Sequence, residues 1–399
     1  MRILIGLTYY RPHYSGLTIY AERLARALVG RGHRVTVLTS RYDRSLPMWE
    51  CIDGLEVVRL DVGLHVSKGV IMPSMLYRAW MCARKSDVLH LHLPQLDAAY
   101  LAMVGRLLRK PVVLTYHCDL RLPQGPIHLA ANQVSHLANH FSARLANVIV
   151  TNTRDYAENS VFLQRYLSKV QPVYPPAEVA PVNEASRAAF RTRVGILSGQ
   201  RIIGMAARLA TEKGVEYLAQ ALPLVMEKHP TARVLFVGQH ENVFGEEPYA
   251  RRLAPLIESL GEHWTFLGNL DPVELSAFYH ECEVTVLPSL NSTESFGMVQ
   301  VESMLCGTPV VASDLPGVRQ PVAISGMGHI VPPADAPALA QAIIATLDQP
   351  EGYRGDPDSF SHRFAPETVA GVYEEIFEGL LNPEASDKRI THFLTGLDP

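Results

Sequence analysis

Short apolar runs alternate along this chain with longer stretches in which apolar side chains recur every three or four positions. The runs Arg2–Thr8, Val35–Thr39, Leu55–Leu60, Val88–Leu93, Val112–Tyr116 and Val148–Thr151 predict strands. Between them, Leu17–Arg31, Met75–Lys85, Asp97–Arg109, a stretch within Ile127–Ala146, and Arg154–Tyr166 predict helices. A Pro-rich break, Val173–Val182 (VYPPAEVAPV), interrupts the pattern and cannot continue a helix. Beyond it the alternation resumes, with strands at Arg201–Ala206, Arg233–Val237, Trp264–Leu267, Glu283–Leu287, Val310–Ala312 and Gly328–Val331. Helices are expected from Gly214 to about Lys228, at Ala336–Leu347 and at Pro366–Leu381, and a polar tail of lower order at Asn382–Pro399. Such alternation predicts the α/β class, with two doubly wound, Rossmann-like sheets. The expected boundaries are 1–174 for the first domain, 175–183 for the linker, 184–365 for the second, and 366–399 for a terminal helix and tail returning to the first.

Composition agrees with two globular domains. The chain has 399 residues, 47% hydrophobic and 19% charged, longer than one core usually grows. No apolar run approaches the roughly 18 residues of a spanning helix, and the first residues read as a strand rather than a leader. A cytoplasmic protein is therefore expected. Five scattered cysteines, none in a C-x-x-C pair, predict buried thiols rather than disulfides or zinc. The net charge of −4 hides an asymmetry. Residues 1–180 carry 21 Lys and Arg against 12 Asp and Glu, and the acidic excess lies in the remainder. No recognition motif accompanies the basic half, which disfavours nucleic acid and leaves an anionic membrane surface or acceptor, or simple attraction between the domains. Val70–Trp80 (VIMPSMLYRAW), flanked by Lys68, Arg78, Arg84 and Lys85, suits an interfacial helix, although packing on the sheet is the commoner fate of such a stripe.

In doubly wound sheets ligands bind beyond the carboxyl ends of the strands, so the polar residues there are the candidates. Arg208 and Lys213 bracket the loop after Arg201–Ala206, and two cations beside a helix N-terminus suit a diphosphate. In PSLNSTESFGMVQVESMLCGTP, Pro288–Pro309, Glu294 precedes a helix expected to begin near Phe296, and Glu302 lies on it. The amides of Phe296, Gly297 and Met298 would be open to hydroxyl or phosphate oxygens. In the first half, Gly16 stands where backbone can approach a phosphate or sugar, or serves as a turn. His90 and His92 share a strand face, and His117 and Asp119 follow the next strand end. His92 and Asp119 are acceptor-side candidates, and Asn269 and Leu270 are candidates for contact with a base. No metal set is expected. The loop after Arg2–Thr8 lacks G-x-G-x-x-G, so no dinucleotide cofactor is expected either. Asp356-Pro-Asp358 matches a D-x-D pattern by chance.

Two similar domains, the Gly16 loop, Arg208 with Lys213, and Glu294-x7-Glu302 within ESFGMVQVESMLCGTPVVASDLPG together resemble the GT-B glycosyltransferases of family 4. This resemblance implies two domains facing across a cleft and a retaining, nucleotide-sugar-dependent enzyme. It places Glu294 near the hydroxyls of the transferred sugar, the amides of Phe296–Met298 on sugar or phosphate, and Glu302 on the ribose. Arg208 and Lys213 would grip the diphosphate, and His117 would stand beside the donor sugar. The chain departs from the family pattern at Ser15-Gly16, at Tyr174-Pro-Pro-Ala and at Ser295, none of which removes a charged group. The implied function is transfer of a hexose from a UDP- or GDP-sugar to a lipid-linked or saccharide acceptor in envelope-glycan synthesis. It would need no metal or other cofactor, and the protein would be cytoplasmic or peripheral on the inner face of the membrane. The alternatives are a non-catalytic nucleotide-sugar-binding subunit, or a GT-B epimerase or phosphorylase.

Overall fold

The computed structural model describes residues 1–66, 69–119 and 126–382, in two units: Met1–Pro176 with the stretch from Arg363 on, and Ala177–His362. The strands of the first unit are β1 (Arg2–Gly6), β2 (Arg34–Arg41), β3 (Trp49–Ile52), β4 (Leu55–Asp61), β5 (Leu64–Val66), β6 (Gly69–Ile71), β7 (Val88–Leu93), β8 (Val112–Tyr116), β9 (Val148–Thr151) and β10 (Val170–Pro172). They form a sheet in the order β10-β9-β8-β7-β1-β2-β4-β3, parallel except at the β3–β4 edge, and a separate β5–β6 hairpin. Strand order reverses between β7 and β1. Helices Met75–Lys85 and Asp97–Leu107 pack beside the strands, burying Leu4, Leu89, Leu101 and Leu114 in one apolar cluster. Each such side chain withdrawn from water contributes about 1.5–3 kcal/mol. The last helix, Pro366–Leu381, packs along Gly16–Gly30 within this unit.

The second unit holds β11 (Arg201–Ala206), β12 (Ala232–Val237), β13 (Trp264–Gly268), β14 (Val284–Leu287), β15 (Val310–Ser313) and β16 (Gly328–Val331). They form a parallel sheet in the order β13-β12-β11-β14-β15-β16. Here the order reverses between β11 and β14, which pair through Ile203 with Val284 and Gly204 with Thr285. Helices Val215–Met226 and Ala336–Asp348 cover one face, around Ile203, Leu218, Val234, Phe236 and Ile343.

Three expectations differ from the structure. The helix expected over Arg154–Tyr166 ends at Asn159, and a 3-10 turn follows at Leu163–Lys169. Ser160 is extended there because its side chain is engaged elsewhere: its hydroxyl donates to Asp119 Oδ1 at 2.6 Å and accepts from the Leu163 N–H. The cysteines are not uniformly buried: Cys282 and Cys306 are, but Cys51 is exposed on the edge strand β3. The interfacial stretch divides its apolar residues. Met75, Ala79 and Ala83 pack inward, whereas Leu76, Tyr77, Trp80 and Met81 remain exposed. The polar tail, 383–399, lies outside the described residues.

Candidate active site

The pairing of β11 with β14 brings two loops together at the point where strand order reverses, the position at which such sheets bind ligands. The loop after β11 carries Arg208 and Lys213, and the loop after β14 carries Glu294. Lys213 Nζ donates to Glu294 Oε2 at 2.6 Å, and both side chains are largely withdrawn from solvent. Arg208 pairs with Glu212 four residues on. The N–H of Leu290 donates to the Glu212 carbonyl at 2.9 Å and ties the loops together by backbone. Gly214, at φ +65°, allows this approach, since a Cβ there would lie 2.1 Å from the Pro288 carbonyl oxygen.

The helix after Glu294 starts at Met298 rather than near Phe296. Gly297 has φ +78° and turns the chain before the helix, with its Cα pressed toward Leu287. Among the described residues, no hydrogen bond satisfies the N–H groups of Gly297 and Met298, so the loop keeps donors for an anion or hydroxyl. Phe296 is buried at 1% exposure, and the Gln300 amide donates to the carbonyls of Phe296 and Val318, bracing the turn. Glu302 is nearly closed off on the inner side of the helix, where the Tyr279 hydroxyl donates to its Oε2 at 3.1 Å.

At the strand ends of the first unit one cluster is made of neutral groups. His90 and His92 on β7, and Thr115 with His117 at the end of β8, share one face because each pair lies two residues apart and the strands are adjacent. Tyr20 from Gly16–Gly30 and Tyr373 from the last helix reach the same face. His92 Nδ1 lies 2.8 Å from His117 Nε2, and His90 Nε2 lies 2.7 Å from the Thr115 hydroxyl. That hydroxyl is 2.6 Å from Tyr373 OH, itself 2.8 Å from Tyr20 OH. Burial pushes the His90 and His117 pKa values down to about 3 and holds His92 well below the ordinary range.

Residues 186–358 match the family described as Glycosyl transferases group 1, and residues 15–176 match the Glycosyl transferase 4-like domain. The chain belongs to the family 4 glycosyltransferases. It is 29% identical over 363 residues to a phosphatidyl-myo-inositol mannosyltransferase of Mycobacterium leprae, spanning 87% of each chain. It is also 29% identical over 364 residues to a D-inositol 3-phosphate glycosyltransferase of Acidothermus cellulolyticus, spanning 84% of this chain and 78% of that one. Among solved structures, Anabaena HepE in complex with UDP-glucose superposes with a TM-score of 0.76 at 20% identity, covering 95% of this chain and 100% of that one. The fold is GT-B.

Other candidates fall in varied settings in this glycosyltransferase. Gly16 is the first residue of its helix and is exposed. Ser15 before it forms a capping box with Thr18, so part of the donor capacity at that helix end is already used. Asp119 is turned toward the fold: its Oδ1 accepts from Tyr116 OH at 2.8 Å and from Ser160, and its N–H donates to Tyr156 OH. Asn269 is exposed and Leu270 half-buried after β13, near the stacked rings of His240 and Phe266, whose centroids are 4.4 Å apart. Asp356 Oδ1 accepts from the Asp358 N–H, a local turn.

Sequence reasoning missed Glu212 and Tyr279, and also Asp97, a carboxyl with 4% exposure at the β7 end that accepts from the Thr8 hydroxyl. Burial raises the Asp97 pKa to about 6. An acid four residues after an apolar strand, opening the next helix, was the available signal for Asp97. Tyr20, Thr115 and Tyr373 carried none, since each reads as an ordinary amphipathic or strand position. Nor was the ring cluster of Tyr9, His13 and Tyr42 foreseen, where Tyr9 and His13 stack at 4.8 Å.

Proposed function

We propose that this glycosyltransferase moves a hexose, with retention, from a UDP- or GDP-sugar to a lipid-linked or saccharide acceptor. The observation that carries the reading is the Lys213–Glu294 contact at the strand-order reversal of the second unit, in a loop that keeps unspent amides at Gly297 and Met298. In this reading Arg208 and Lys213 take the diphosphate, exchanging their carboxylate partners for phosphate oxygens and stabilising the leaving anion without a metal or other cofactor. Glu294, released from Lys213, faces the sugar hydroxyls and the positive charge developing on the ring, and the amides of Phe296, Gly297 and Met298 hold sugar or phosphate oxygens. Glu302, oriented by Tyr279, accepts from the ribose hydroxyls. Asn269 and Leu270 contact the base, Gly16 and His117 serve the reacting sugar and acceptor, and His92, an acceptor-side candidate in the sequence, is wholly buried and acts only through His117. A solved structural neighbour holding UDP-glucose, and relatives named for phosphatidyl-inositol and inositol phosphate acceptors, support the substrate classes.

No helix among the described residues is long and apolar enough to cross a membrane. Exposed Leu76, Tyr77, Trp80 and Met81, beside Arg78, Arg84 and Lys85, support peripheral attachment to an anionic surface on the cytoplasmic side. The test is nucleoside diphosphate release from a panel of UDP- and GDP-hexoses, with phosphatidyl-inositol, inositol 3-phosphate and simple saccharides as acceptors, with and without EDTA. Transfer from at least one donor, unchanged by EDTA and with the anomeric configuration kept by NMR, is expected. Tight donor binding without turnover on any acceptor would reduce the protein to a binding subunit, and an inverted product would remove the retaining mechanism. Binding to anionic vesicles should weaken with salt, and binding indifferent to salt and lipid charge would remove the surface assignment.

A further inference from the structure

The contact between His92 Nδ1 and His117 Nε2 leaves two arrangements for the protons of two neutral imidazoles. If His117 donates through Nε2–H, the proton of His92 sits on its Nε2, which is buried and has no hydrogen-bond partner. If His92 donates through Nδ1–H, its buried Nε2 is a bare lone pair, and the proton of His117 sits on Nδ1. That nitrogen has no hydrogen-bond partner among the described residues, and it is not among the buried unpartnered atoms. Buried N–H groups without acceptors are rarer in folded proteins than acceptors left short, so the second arrangement is preferred. The same reasoning applied to His90, whose Nδ1 is buried and unpartnered, places its proton on Nε2, donating to Thr115. Thr115 can then donate to Tyr373, and Tyr373 to Tyr20.

We infer that His92 acts as a positioning residue that locks His117 in its Nδ1–H tautomer, so that His117 presents a hydrogen-bond donor, and no basic nitrogen, to the ligand. His117 therefore grips an oxygen lone pair, of a sugar hydroxyl or a phosphate, and does not take a proton as general base. The identity of that oxygen rests on the proposed transfer; the tautomer does not. The low pKa values of both rings agree with neutral imidazoles throughout the physiological range.

The tautomer is read directly from long-range proton–nitrogen NMR spectra of the full chain with labelled histidine, the His117 signals being assigned by their loss in His117→Gln. A proton on Nδ1 of both His92 and His117 is expected, and a proton on His117 Nε2 overturns the inference. Kinetics supply the second arm. His92→Leu should lower kcat about tenfold with donor KM within about twofold, and His92→Asn, whose amide N–H takes the place of Nδ1–H, should recover most of the loss. An Asn variant with unchanged melting temperature that is as slow as the Leu variant would reduce His92 to packing. Should the protein transfer no sugar at all, the proposed function fails, and the spectrum still decides the tautomer.

Discussion

At the strand ends of the second unit Arg208 and Lys213 are held by Glu212 and Glu294, whereas at those of the first unit His90, His92, His117, Thr115, Tyr20 and Tyr373 form neutral contacts. The two sites suit different tasks. Long charged side chains paired with carboxylates can exchange partners when an anion arrives, and in the proposed function the second unit supplies affinity for the diphosphate and stabilises its departure. Rings locked against one another carry no net charge and have few conformations to lose. In the proposed function the first unit supplies orientation rather than attraction.

Removing charge from the second unit should have the larger effects. Lys213→Ala takes a cation from the diphosphate and leaves the Glu294 carboxylate without it, so kcat/KM should fall about 1,000-fold in steady-state diphosphate release. A loss under tenfold would break the comparison. Glu294→Gln should lower kcat about 100-fold with little change in donor KM, and an effect confined to KM would move Glu294 from the reacting sugar to simple binding. Glu302→Ala should raise donor KM about tenfold and leave kcat nearly intact.

The neutral site makes a prediction in pH. The folded pKa of His90 lies near 3, below its unfolded value, so the unfolded chain takes up a proton that the folded chain refuses. The stability that His90 contributes is full above about pH 6.5 and is lost as pH falls toward 3, by on the order of 1 kcal/mol per pH unit between the two pKa values. Urea midpoints measured from pH 7 to 5 should show this slope, shallower in His90→Phe; a flat profile would mean that the rings accept protons in place. Tyr279→Phe should give the smallest effect, raising donor KM about threefold by removing one hydroxyl from Glu302.

The strand runs and their spacing made the sheets legible, and the placement of Arg208, Lys213 and Glu294 at strand ends followed from that. Gly297 was read as part of a helix because glycine in S-F-G fits either a helix start or a left-handed turn; the structure takes the turn, in a place where a Cβ would lie 2.3 Å from the Leu287 side chain. The break after Asn159 was hidden for a similar reason. Ser160 leaves the helix to reach Asp119, a partner 41 positions away.

Periodicity and strand-end chemistry, both local properties, were enough in the sequence to determine the fold class and the charged candidates, and the Glu294-x7-Glu302 stretch with Arg208 and Lys213 carried the resemblance to the family. Tertiary structure alone decided which charges face one another. Lys213 meets Glu294 across 81 positions because β11 pairs with β14, and Tyr373 reaches Thr115 across 258 because the last helix packs along Gly16–Gly30. Such contacts depend on strand order and helix packing, which no local pattern of hydrophobic and polar residues encodes.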